Sequence, residues 1–272
     1  MSTTASPDIV LIHGLWMTPL SWEHWIERYE SRGHNVIAPA WPGMDGDIDE
    51  LRRDPSGIAK LDIKQIVDHY DGIIRALDSP PIIMGHSFGG TFTQILLDRG
   101  LGSAGVGIDS GTVKGILDLP LVTLKSASPI LSNPFNRNKA TALSLKQFHY
   151  AFTNTLSEEE SQAVYQRYAV PAVNRVLFQG AFANLSPKSP MKVDFANDDR
   201  APLLLIGGGD DHVVPAKVNK KNAEKYGKSK AITEFKEFPG RSHYTLGQPG
   251  WEEVADYGLE WAVAHARAPV PA

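Results

Sequence analysis

The sequence predicts an α/β protein, a mostly parallel sheet flanked by helices, with a helical insertion late in the chain. Two patterns predict this. Short apolar runs of strand length alternate with helix-length amphipathic segments, as in a sheet buried on both faces. The alternation then lapses over residues 112–200, where helical pieces and prolines (Pro120, Pro129, Pro134, Pro171, Pro187, Pro190) replace the strands. The predicted strands are 9–12, 36–39, 81–84, 105–108, 202–206 and 232–238. The predicted helices are 21–31, 63–77, 88–99 and 216–226, with a last one over about 251–267. Inside the interval, Ser157 and Glu160 form a capping box that starts a helix running to about 169. Pro171 is placed to open the next helix, where proline's missing N–H does no harm. The expected organisation is therefore a core of 1–111 and 201–272, with 112–200 as a helical lid over the C-terminal edge of the sheet.

Composition narrows the function classes. A chain of 272 residues that is 42% hydrophobic and 21% charged has enough apolar material for one large core. A net charge of −4 gives no reason to expect nucleic acid or an anionic membrane as partner. The basic stretch 217–230 has helical spacing and reads as a solvated helix face. With no cysteine, disulfides, thiolate metal sites and a cysteine nucleophile are excluded together. The first residues lack the basic and apolar regions of a signal peptide, and no apolar run is long enough to span a bilayer. The expectation is a cytoplasmic protein that works without cofactor or metal and without stable membrane insertion.

The strongest local signal is Gly85-His86-Ser87-Phe88-Gly89, which follows an apolar strand and opens a helix. A serine on a tight strand-to-helix turn stands clear of the sheet as a nucleophile. Glycines at 85 and 89 fit where a Cβ would collide with neighbouring backbone. The helix N-terminus adds N–H groups and a positive dipole end beside the attacked carbonyl. His86 reads as a packed neighbour. Upstream, the 9–12 strand ends in His13-Gly14-Leu15-Trp16, a turn suited to aiming a backbone N–H inward. The N–H groups of Leu15 and Phe88 are the predicted oxyanion hole, with Trp16 as the alternative to Leu15. Downstream, the 202–206 strand runs into Gly207-Gly208-Gly209-Asp210-Asp211, and the last strand is followed by Ser242-His243-Tyr244.

On these motifs the chain resembles the α/β-hydrolase superfamily over most of 8–111 and 201–268. It is similar to its compact branch of esterases, perhydrolase-type haloperoxidases and plant methylesterase or hydroxynitrile-lyase enzymes. The resemblance implies a Ser–Asp–His triad in that chain order. The family motif Gly-x-x-Asp-x-x-Val-Pro matches 208–215 and selects Asp211 as the acid, with Asp210 and Asp109 as alternatives. His243 is the implied base and Ser87 the nucleophile. Serine at 87, in place of aspartate, argues against epoxide-hydrolase or dehalogenase chemistry. Hydroxynitrile lyases carry a lysine where this chain has Tyr244, which argues against cyanohydrin cleavage.

The other histidines, His24, His34, His69, His149, His212 and His265, read as surface or packing residues. Trp16, Phe148, Phe152, Phe178 and Phe182 are the candidate substrate-binding side chains, and they imply a small apolar, ester-like substrate. The expected reaction is hydrolysis of a carboxylic ester or lactone. The alternatives are perhydrolysis or carbon–carbon hydrolysis by the same triad, and a hydrolase-fold protein that only binds.

Overall fold

The computed structural model describes residues 7–118 and 120–268. Residues 1–6 and 269–272, at the ends of the predicted core segments, and Leu119 in the predicted insertion lie outside the described residues. Eight strands follow in chain order: β1 (Ile9–Ile12), β2 (Val36–Ile37), β3 (Ile82–His86), β4 (Ala104–Ile108), β5 (Ala140–Thr141), β6 (Ala172–Val173), β7 (Leu203–Gly208) and β8 (Thr233–Phe238). Six of them form one parallel sheet in the order β2-β1-β3-β4-β7-β8. The register levels the strand ends, because Ile12 faces Gly85 while Ile108 faces both His86 and Ile206. The chain thus leaves the sheet side by side at His13, Ser87, Asp109 and the glycines after Ile206.

The helices are α1 (Glu23–Ser31), α2 (Ile48–Arg53), α3 (Ile63–Arg75), α4 (Phe88–Asp98), α5 (Leu121–Leu131), α6 (Leu145–Ala151), α7 (Glu158–Tyr168), α8 (Asn174–Ala181), α9 (Ala216–Lys225) and α10 (Trp251–His265). Side chains alternate across each strand, so a wholly apolar strand feeds two cores at once. Ile9, Leu11, Ile82, Met84, Leu204 and Ile206 pack with Trp25 and Tyr29 of α1 and Val254 and Leu259 of α10. Val10, Ile12, Ile83, Leu203 and Leu205 point the other way, into a core shared with α3, α4 and the 112–200 segment. Each fully buried aliphatic side chain contributes about 1.5–3 kcal/mol. No helix among the described residues is long and apolar enough to cross a membrane.

Three details differ from the sequence reading. The strand predicted at 36–39 ends at Ile37, two residues before Pro39, which has no N–H to give a ladder. Pro171 opens no helix: Ala172 and Val173 pair with Thr141 and Ala140, and α8 begins only at Asn174. The six-residue α2, capped by Asp47, was not predicted because it is too short to show a period. The capping box is as predicted. Ser157 Oγ accepts the Glu160 N–H at 3.2 Å, and Glu160 accepts the Ser157 N–H at 2.8 Å. The 112–200 segment is tied to the sheet edge, where the Val170 N–H donates to the Trp16 carbonyl and the Tyr244 N–H to the Phe152 carbonyl.

Candidate active site

Among the described residues, the non-glycine residues with positive φ are Trp16 (62°), Ser87 (55°) and Asp109 (45°). All three sit where strands leave the sheet at the same edge. Such strain persists only where the surrounding structure over-determines it, and it gathers at functional sites. At Ser87 two glycines make the turn possible. A Cβ on Gly85 would lie 2.1 Å from the Gly89 carbonyl oxygen, and one on Gly89 would lie 2.0 Å from that of Ile12. The Ser87 N–H donates to the Ile108 carbonyl at 3.0 Å, which sets the turn against β4.

The loop after β8 brings His243 to this turn. Its Nε2 lies 3.0 Å from Ser87 Oγ, and its Nδ1 lies 2.7 Å from Asp211 Oδ2. The other Asp211 oxygen accepts the N–H groups of Val213 and Val214 at 2.6 and 2.9 Å. His243 is fully buried. Burial works to lower its pKa, but the charge and hydrogen bond of Asp211 raise it above the ordinary value. Asp210, one residue away, is exposed, and its N–H donates to the Arg241 carbonyl. Asp109 is buried close by, but its Oδ1 accepts the Gly208 N–H rather than an imidazole proton.

The loop after β1 runs against the serine, since a Cβ on Gly14 would lie 2.7 Å from Ser87 Cβ. His13 holds this loop. Its ring stacks on Trp41 at 4.9 Å and its Nε2 accepts the Trp41 N–H, leaving Nδ1 to donate to the Gly14 carbonyl at 3.0 Å. Burial lowers its pKa to about 4, so it stays neutral. His86 lies 4.7 Å from the His243 ring and donates from Nε2 to the His243 carbonyl at 2.8 Å. Burial, then the neighbouring His243, hold its pKa well below the usual range.

This strand-turn-helix serine, with a histidine and a carboxylate reaching it from later loops, agrees with a family match over residues 9–257. The chain belongs to the alpha/beta hydrolase family. No curated protein matches it. Solved structures resemble this hydrolase along nearly its whole length. A Paleococcus ferrophilus monoacylglycerol lipase is 20% identical over 96% of this chain and 97% of its own, with a TM-score of 0.63. An extracellular alpha/beta-hydrolase from a Paenibacillus species is 21% identical over 96% and 100%, with a TM-score of 0.66. A pyrethroid hydrolase from Sphingobium faniae is 17% identical over 95% and 97%, also with 0.66. At these identities the likeness is one of fold.

In this hydrolase a cavity of about 160 Å³ opens beside the serine turn, lined by Trp16, Phe88, Leu124, Ala127, Phe152 and Leu177 among others. Ser87 and His243 are not among its lining residues; Phe152, which lines it, is edge-on to the His243 ring at 4.9 Å, and Trp16 is edge-on to Phe152 at 6.0 Å. Asp118 is the sole charged residue lining the cavity among the described residues, and it is paired with Lys221. A second cavity of about 420 Å³ lies across Trp16 and Leu143, and Phe148 lines this one.

Two of the five candidate binding side chains are placed elsewhere. Phe182 is 52% exposed, and Phe178 stacks on it at 6.3 Å; neither lines either of these two cavities. On α8 the lining face is Leu177, Gly180 and Ala181, spaced i, i+3, i+4. Phe178 is rotated about 100° from Leu177 and Phe182 follows it one turn on, so both aromatics share a different face. Ala127, Gly180 and Ala181 line the cavity unforeseen, because small residues carry no signal of a pocket wall. Among the described residues, His86, Asp109 and His243 form one metal-like grouping, with donor atoms within 4.8 Å of one another. Both His243 nitrogens, however, already face Asp211 and Ser87.

Proposed function

We propose that this hydrolase cleaves a carboxylic ester or lactone through an acyl-enzyme on Ser87. The single observation that carries the reading is the continuous chain Ser87 Oγ–His243 Nε2 at 3.0 Å and His243 Nδ1–Asp211 Oδ2 at 2.7 Å. Serine near neutral pH is too weak a nucleophile alone. His243 takes the hydroxyl proton as Oγ bonds to the acyl carbon, then gives that proton to the departing alcohol oxygen. Water, deprotonated by the same imidazole, hydrolyses the acyl-enzyme and frees the acid. Asp211 accepts the Nδ1 proton's hydrogen bond, which fixes the tautomer and stabilises the imidazolium. The N–H groups of Leu15 and Phe88 bind the oxyanion, each worth about 3 kcal/mol in the transition state.

The 112–200 segment acts as the lid in this reading, since α5 and α8 supply much of the cavity wall. An apolar wall whose charged member is already paired suits an uncharged, apolar acyl or alcohol group. The names of two fold neighbours, a monoacylglycerol lipase and a pyrethroid hydrolase, agree with hydrolysis. Tyr244 stands where lyase chemistry in the resembling branch uses lysine, which favours the hydrolytic outcome.

The test is fluorophosphonate labelling together with turnover of p-nitrophenyl esters of graded chain length. The reading expects label on Ser87 and loss of both signals in Ser87→Ala. Turnover retained in Ser87→Ala would overturn it, and an unlabelled, inactive folded protein would favour binding alone.

A further inference from the structure

The proposed mechanism uses one carboxyl group, yet the site holds two. Asp109 directly follows β4 with φ at 45° and is fully buried. Its backbone N–H donates to the Ile206 carbonyl at 2.8 Å, and its Oδ1 accepts the Gly208 N–H at 2.6 Å. One residue therefore grips the end of β7 twice. The Gly208 carbonyl in turn accepts the Asp211 N–H at 3.3 Å, so a single residue separates this grip from the proposed triad acid. The approach is close enough to need glycine: a Cβ at 208 would lie 3.2 Å from Asp109 Oδ1 and 2.6 Å from the Arg241 carbonyl oxygen.

The second oxygen of Asp109 has no hydrogen-bond partner among the described residues. The titratable groups facing it are His86 from β3, His243 from the loop after β8, and Asp211 from the turn after β7. The Thr245 hydroxyl is also near, but donates to the Ser242 carbonyl. A buried carboxylate with an unsatisfied oxygen and a second carboxylate beside it is heavily disfavoured. The protonated acid is not.

We propose that Asp109 is a positioning residue of this site, bracing the Gly208–Asp211 turn as an uncharged carboxylic acid so that Asp211 alone presents a carboxylate to His243. The proposal rests on the Ser87–His243–Asp211 reading for its catalytic consequence. Its electrostatic consequence stands apart. Burial, then the charge of Asp211, push the Asp109 carboxyl up to about 8, with His243, the Thr245 hydroxyl and the Gly208 N–H acting the other way. In the unfolded chain the same group titrates near ~3.9. The folded state thus binds the extra proton between those values, and the contribution of Asp109 to stability falls as pH rises from about 4 to about 8, opposite in sign to that of the buried histidines.

Two variants separate brace from charge. Asp109→Asn keeps an oxygen for the Gly208 N–H and cannot ionise, whereas Asp109→Ala removes both. With a p-nitrophenyl ester, Asp109→Ala is expected to lower kcat at least roughly tenfold with KM little moved, and Asp109→Asn to restore most of that loss. In thermal unfolding at pH 5 and pH 8.5, the Tm advantage of Asp109→Asn over the unmodified protein is expected to grow by roughly 4 °C or more. Equal kcat in the two variants overturns the proposal, and so does a Tm difference that ignores pH. If Asp109→Ala does not fold, the Asp109→Asn unfolding comparison decides alone. That comparison needs no substrate, so its failure is distinct from a failure of the ester-hydrolysis reading.

Discussion

Ser87 owes its reactivity in the proposed mechanism to where two other side chains end. His243 must be neutral to accept the serine proton, and its pKa is raised by Asp211 against the opposing effect of burial. The acid limb of kcat/KM is therefore expected to inflect above the ~6.5 of free histidine, which a pH–rate profile on a neutral ester measures. Asp211→Asn should pull that limb down and reduce kcat by roughly 10³–10⁴-fold, as loss of the tautomer-fixing carboxylate does in comparable triads. An inflection at or below the free value would contradict the geometry. The sequence offered three carboxylates for this role. Asp210 and Asp211 are neighbours in one polar turn, and only the folded turn shows that one side chain is exposed and the other meets the imidazole.

At the level of elements, the serine turn depends on how closely β1, β3 and α4 approach. Gly89→Ala would place a carbon 2.0 Å from the Ile12 carbonyl oxygen, with backbone on both sides and no side chain to swing away. Denaturant unfolding should show it destabilised by roughly 3 kcal/mol or more, or too poorly folded to purify. Helix α8 makes a different point. Its lining face is Leu177, Gly180 and Ala181, so Ala181→Phe is expected to cut kcat/KM for long-chain esters by roughly tenfold relative to acetates. The exposed Phe182, replaced by alanine, should leave that ratio within about twofold. The opposite ranking in a chain-length series would mean that the cavity is not the acyl site. Aromatic side chains in the sequence pointed to Phe182, because hydrophobicity is legible there while the rotation of a helix about its axis is not.

For the whole molecule, the buried neutral histidines limit stability on the acid side. His13 is held at about 4, and His86 well below the usual range, both chiefly by burial. An unfolded histidine takes its proton near ~6.5, so the unfolded state binds more protons below that pH. Their contribution is complete above pH ~6.5 and is lost as pH falls toward the folded values. Tm is expected to decline from pH 6.5 to pH 4, with a shallower decline in His13→Asn, which takes no proton. A parallel decline in the two proteins would remove His13 from the explanation.

The parallel α/β sheet, the positions of its six strands and of α1, α3, α4, α9 and α10 to within a few residues, and the serine turn at its edge were legible in the sequence, whereas α2, α5, α6 and the β5–β6 ladder were not. Apolar runs of strand length, helical periodicity and Gly-x-Ser-x-Gly are local patterns, set by burial and by the steric limits of one turn. The resembling motif over 208–215 favoured Asp211 in advance; the folded chain brought it to His243, and only there did it emerge which face of α8 lines the cavity and that Asp109 grips the end of β7. It also replaced the helix expected at Pro171 with a two-residue ladder to Ala140 and Thr141. These outcomes depend on pairs far apart in the chain, such as Asp211 with His243 or Asp109 with Gly208, brought together when the sheet levels its strand ends. No local propensity encodes such a meeting; the register of the sheet does.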